Sequence, residues 1–275
     1  MPAEQCVVVV DFHGVLGNDN KLMWKNLRKA IRRGKSLNIQ QRVEGIASPI
    51  ISPELFHDQL LQSRKKILRD PRHLALIAPC EGAIEGIHLL AKVAVNPLHL
   101  VTATPESMRD EMSETLARWT IAEDLPEADR QFRNNGRNSV IKSKTNNSLR
   151  VHATHALEDD LQVMTAYVEA GIKIFAIVGN TDHREIHNSP VVMKFWDVQG
   201  VALAAAMAGS IDGVFWQYRD ELRDPKNADK VFEPELPCLG VVPPPRMRNW
   251  CVATTWFNGL KVDTDNVVRM RPLEE

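Results

Sequence analysis

Asp11 closes the apolar run at residues 6–10, and His13 stands two residues beyond it. Three consecutive acids, Glu158, Asp159 and Asp160, follow a second apolar run that ends at Leu157, and Thr102 follows a third that ends at Val101. Lys142 and Lys144 lie in the polar stretch that precedes the acids. Residue types of this kind suit phosphoryl transfer through a covalent intermediate, which needs an attacking carboxylate, a divalent cation beside it and donors for the equatorial oxygens. Asp11 is the candidate nucleophile. Asp159, with Glu158 or Asp160, would join the Asp11 carboxylate and the His13 backbone carbonyl in a hard oxygen site suited to partly hydrated magnesium. Thr102 and Lys144 are the candidates for binding phosphate oxygens, and Lys144 would also offset the repulsion among the carboxylates.

Each residue has an ordinary role to weigh against these. An aspartate at a strand end commonly forms a turn or a cap. Thr102 can cap the helix that begins after Pro105, and Thr104 competes for its role. Lysines in a polar stretch are usually solvated, so only position relative to the acids separates Lys144 from Lys142. Three acids can also open a helix favoured by its macrodipole.

The elements that must position these side chains are legible as short apolar runs ending at polar residues: 6–10, 98–101, 153–157 and 172–178. A strand covered on both faces reads as such a continuous run. Helical spacing separates them, in Ala83, Ile84, Ile87, Leu90 and Ala91, in Met108, Met112, Leu116 and Trp119, and in Leu161, Met164, Val168 and Ile172. Strand and helix in alternation imply an α/β fold, a Rossmann-like parallel sheet whose ligand crevice lies at the carboxyl ends of the strands. The polar stretch 124–138 reads as a surface loop.

The segment from Val7 to Leu16, with Asp11-Phe12-His13-Gly14, resembles the first motif of the haloacid dehalogenase-like hydrolases. His99-Leu100-Val101-Thr102 resembles their second motif, Lys144 (or Lys142) is placed like the third-motif lysine, and Leu157-Glu158-Asp159-Asp160 resembles the acidic fourth. The match covers residues 5–16 and about 80–180, and it is specific as a set. The resemblance implies an enzyme, a magnesium-dependent phosphohydrolase that works through an aspartyl-phosphate. Asp11, His13, Thr102 and Lys144 would be catalytic. Gly14, Thr102, Ala103 and Lys144 would bind substrate, and Asp11, His13, Glu158 and Asp159 would bind Mg2+.

His13 departs from the pattern, because phosphatases of the family carry a second Asp there. Imidazole can do acid and base work near neutral pH. The change is equally compatible with a phosphonatase- or dehalogenase-like C–P or C–halogen hydrolase of the same fold, or with a catalytically inactive binding protein; a phosphonatase-like route would require an amine from the inserted segment, where Lys21, Lys25 and Lys29 are available. The segment Gly179-Asn180-Thr181-Asp182-His183 offers an extra acid or a plain surface loop. His152, His155, His183 and His187 are spaced too irregularly for a tetrahedral zinc set.

The Rossmann-like core is expected at 1–16 and 78–216. A helical cap at 17–77, rich in Lys and Arg, is inserted after the first strand, and a Pro-rich C-terminal appendage at 217–275 carries Trp250, Trp256 and Phe257 and a strand pair at 251–256 and 259–262. With 34 Lys and Arg against 35 Asp and Glu, the net charge of -1 offers no field for nucleic acid or anionic lipid. The expected partner is a phosphorylated small molecule, with no nucleic acid and no membrane, and a homo-oligomer stays open. The longest apolar stretches, 6–10 and 201–208, fall far short of the roughly 20 residues that span a bilayer. The first residues lack the basic start of a secretory signal. Four scattered cysteines suggest reduced thiols. The expected location is cytoplasmic.

Overall fold

The apolar runs lie side by side as parallel strands in a computed structural model that describes residues 6–19, 70–94, 96–133, 139–179, 189–228, 230–234 and 267–270. The cap lysines, Asp182, His183, His187, the tail aromatics Trp250, Trp256 and Phe257, and the strand pair expected at 251–262 lie outside the described residues. The described strands are β1 (Val8–Val10), β2 (Gly17–Asn18), β3 (Ala78–Pro79), β4 (His99–Pro105), β5 (Arg130–Arg133), β6 (His155–Glu158), β7 (Lys173–Ile177), β8 (Val192–Phe195), β9 (Val231–Pro234) and β10 (Val267–Met270). The described helices are α1 (Pro71–Leu74), α2 (Ala83–Val93), α3 (Arg109–Arg118), α4 (Val140–Arg150), α5 (Leu161–Glu169), α6 (Val198–Met207), α7 (Ile211–Gln217) and α8 (Arg219–Arg223).

Six strands form one parallel sheet in the order β5-β4-β1-β6-β7-β8, the Rossmann-like arrangement expected. β1 is central: Val10 is level with Leu100 of β4 on one side and Leu157 of β6 on the other. The period of two along β1 sends Val8 and Val10 into a large apolar cluster with α2, α3, α6 and α7. Val9 goes into a second cluster with Val163, Met164 and Tyr167 of α5. Helices therefore cover both faces, and that is why β1 reads as unbroken valine.

Local sequence sets the helix that follows the acids. Asp160 accepts from the backbone N–H groups of Gln162 and Val163 and so starts α5, and Gly171, at φ +79°, ends it in the left-handed turn that favours glycine. β2 and β3, either side of residues 20–69, pair antiparallel, with Gly17 opposite Pro79. β9 and β10 pair with each other and place Phe232 and Met270 in the main cluster. Among the described residues no single helix is long and apolar enough to cross a membrane.

Two strands of the six-stranded sheet are additions to the sequence reading. The stretch expected as a surface loop contains β5, an edge strand whose inward positions are Arg130 and Phe132. The buried Arg130 guanidinium is satisfied by the carbonyls of Leu125 (2.8 Å) and Ala122 (3.2 Å) and by Ser113 Oγ (2.7 Å), so a charged residue occupies a core position. β8 escapes notice because Lys194 interrupts its apolar run; the lysine is 2% exposed and donates to the Ala228 carbonyl.

Candidate functional site

At the carboxyl end of β1 the chain makes a tight turn. Leu16 and Gly17 both donate to the Phe12 carbonyl, at 2.9 and 2.7 Å, and Gly14 donates to the Gly17 carbonyl at 2.9 Å. Phe12 anchors the turn by stacking on Trp119, with ring centroids 5.4 Å apart. Gly14 has φ +87°, and a Cβ placed on it would lie 2.0 Å from Asp159 Oδ2. Glycine is therefore required twice, for its backbone angle and for the close approach of a carboxylate from the end of β6.

Asp11 is buried, and its Oδ1 accepts from the Phe12 N–H at 2.8 Å. Its Oδ2 lies 2.6 Å from Lys144 Nζ. Lys144, on the inward face of α4, reaches Glu158 as well, at 2.8 and 3.1 Å. Glu158 Oε1 further accepts from the backbone N–H groups of Asp159 and Asp160, both at 3.1 Å. One ammonium thus bridges two buried carboxylates. Lys142 is exposed on the same helix. Asp160 is taken up in capping α5, and the acids that converge are Asp11, Glu158 and Asp159, which bring one carboxylate oxygen each to within 4.8 Å of one another.

The electrostatics follow from this crowding. Burial pushes the Asp11 carboxyl above its usual value; Lys144 opposes the shift and Asp159 adds to it. Burial likewise pushes Glu158 up to about 7, with Lys144 opposing and Asp11 adding. For Lys144 burial acts downward, but Asp11 and Glu158 more than offset it and hold the ammonium above the ordinary lysine value. Among the described residues one ammonium faces three carboxyl groups, and an all-oxygen donor set of this kind suits a divalent cation such as magnesium.

The other expected residues form a second group. His13 is 2% exposed, with Nδ1 2.9 and 3.1 Å from the oxygens of Asp19 and Nε2 2.9 Å from Thr104 Oγ1. Thr102 Oγ1 bonds Thr104 Oγ1 at 3.0 Å and accepts from the Thr104 N–H at 3.1 Å. The hydrogen bonds of Thr102 thus lead toward His13 and away from the carboxylates. Ala103, between the two threonines on β4, is also buried. Asp19 is the member that sequence reasoning missed. Its signal was an acid six residues after a histidine in a buried turn. His155 and His152 are apart from this group: His155 is buried at the opposite end of β6, tied to Thr154 and Asp212.

Fold and site together define a doubly wound α/β protein with a carboxylate-rich centre at the carboxyl edge of its central strands. No family model matches the sequence, and no curated protein matches it. Among solved structures the chain is similar to a haloacid dehalogenase-like family hydrolase from Streptococcus pneumoniae, at 12% identity over 69% of this chain and 93% of that one, TM-score 0.47. It is similar to a HAD hydrolase, family IA, variant 3, from Entamoeba histolytica, at 17% identity over 76% and 99%, TM-score 0.46. A haloacid dehalogenase-like family hydrolase from Xanthomonas campestris is similar at 11% identity over 76% and 97%, TM-score 0.46.

Proposed function

We propose that the protein is a haloacid dehalogenase-like phosphohydrolase, dependent on magnesium and acting on a phosphorylated small molecule through an aspartyl-phosphate at Asp11. The observation that carries this reading is the convergence of Asp11, Glu158 and Asp159 around the single ammonium of Lys144. Asp11, Glu158 and Asp159, with the His13 carbonyl, would hold Mg2+. When bound, the ion supplies charge to balance the carboxylates and the phosphate oxygens.

The phosphate monoester monoanion gives its proton to Nε2 of His13 on entry; an Asp11 oxygen then attacks phosphorus, the bond from phosphorus to the leaving oxygen breaks, and that oxygen takes the Nε2 proton. Water then attacks phosphorus and gives a proton to His13; the bond from phosphorus to Asp11 breaks, and phosphate leaves with that proton, which restores both side chains. His13 exchanges these protons through Nε2, and the Thr104 hydroxyl holds that nitrogen's place before substrate enters. Lys144 and Thr102, with the Gly14 turn and Ala103 beside them, bind the phosphate oxygens. The basic residues Lys21, Lys25, Arg28, Arg32 and Arg33 would supply counter-charge to the phosphate.

The test is hydrolysis of p-nitrophenyl phosphate and of an alkyl phosphate with magnesium and with a chelator. Asp11→Asn keeps the shape and loses the attacking charge, so turnover should fall by several powers of ten. Retention of more than about a tenth of the wild-type rate would rule out Asp11 as nucleophile.

A further inference from the structure

His13 is held at both ring nitrogens, and the carboxylate on Nδ1 comes from a residue outside every motif that the resemblance carries. Asp19 is 7% exposed, and it turns both oxygens to Nδ1, at 2.9 and 3.1 Å. A carboxylate that turns both oxygens to one ring nitrogen fits a proton carried on Nδ1. The other nitrogen, Nε2, then faces Thr104 Oγ1 at 2.9 Å. That hydroxyl has one proton to give, and it also receives the Thr102 hydroxyl at 3.0 Å. With the proton on Nδ1, the four buried side chains Thr102, Thr104, His13 and Asp19, drawn from β4, from the turn after β1 and from the residue that follows β2, would form one directed chain.

We infer that Asp19 is a positioning residue. It keeps the His13 proton on Nδ1, leaves Nε2 as the nitrogen that faces the reaction centre, and through Thr104 sets the direction of the Thr102 hydroxyl. The inference rests on the reading of His13 as the proton-exchanging group. A carboxylate that orients imidazole through Nδ1 is a recurrent device for this purpose, because the wrong tautomer presents a proton where a lone pair is needed. The alternative is a plain structural tie between the turn and residue 19.

The two accounts separate by nitrogen NMR of 15N-histidine-labelled protein, with the His13 signal assigned from its loss in His13→Gln. In the wild type Nδ1 should carry the proton. In Asp19→Ala it should become the unprotonated nitrogen, and kcat on an alkyl phosphate should fall by roughly 10²-fold to 10⁴-fold, while KM changes by less than about threefold. Asp19→Asn keeps an oxygen within reach of Nδ1 and should lose less. It also serves if Asp19→Ala folds poorly. An unprotonated Nδ1 in the wild type, or a well-folded Asp19→Ala with kcat within about twofold, would overturn the inference. If Asp11→Asn abolishes turnover while Asp19→Ala is harmless, only the inference fails. If the wild type hydrolyses no phosphate ester, the phosphohydrolase reading fails and the NMR result alone decides the placement of the proton.

Discussion

Replacing Lys144 with Met keeps most of the side-chain volume and removes the ammonium that bridges Asp11 and Glu158. The distances of 2.6 and 2.8 Å and side-chain exposures of 3%, 3% and 1% leave little solvent screening, so the loss is that of a buried pair broken on one side. Such a loss is about 3–5 kcal/mol. Part of it is recovered because Glu158, already pushed up to about 7 by burial, takes up a proton once Lys144 no longer opposes the shift. Each unit of further shift is about 1.4 kcal/mol. The sign is set by the raised folded value: stability tied to the protonated carboxyl is complete below the ordinary Glu value of 4.5 and is lost as pH rises through about 7. The difference between wild type and Lys144→Met should therefore be large at pH 8, about 2–4 kcal/mol, and small near pH 5. Urea denaturation followed by tryptophan fluorescence at the two pH values measures it. Equal losses at both would mean that lost packing and not uncompensated charge is responsible, and no loss at either would refute the electrostatic account of the site.

The remaining predictions concern the glycine turn and a distant cap. Gly14→Ala places a Cβ 2.0 Å from Asp159 Oδ2 at φ +87°, so Asp159 must move; half-saturation by magnesium in the phosphatase assay should rise roughly 10-fold to 100-fold, and an unchanged value would show that Asp159 takes no part in holding the ion. Asp197 starts α6 by accepting from the Gly200 N–H at 2.8 Å, and burial pushes its carboxyl up to about 6, partly opposed by that hydrogen bond. Its favourable contribution is present below the ordinary 3.8 and lost as pH rises through about 6. Asp197→Asn keeps a competent cap and has no charge to bury, so it should match the wild type near pH 4 and exceed it at pH 8 by up to about 2 kcal/mol. Thermal melts at both pH values check this, and a variant less stable than the wild type at pH 8 would count against it.

How much was legible from sequence depends on whether the information is local. β1, β4, β6 and β7 could be found without coordinates because a parallel strand buried on both faces is written as one apolar run, and the ends of those runs lead to Asp11, Thr102 and the acidic trio. β5 and β8 could not, since Arg130 and Lys194 sit at buried positions and are satisfied by carbonyls that only the folded chain supplies. The division of labour among the acids was likewise hidden. Asp160 caps α5 while Glu158 and Asp159 turn toward Asp11, because backbone direction at a strand end decides which of three neighbours faces which group. Helix phase decides that Lys144 points inward and Lys142 outward. The pairing of His13 with Thr104 spans 91 residues of chain and that with Asp19 only six, yet neither is encoded in any period. The residue types of the candidate chemistry are thus properties of the sequence, whereas their partnerships exist only once the parallel sheet brings the ends of β1, β4 and β6 to one edge.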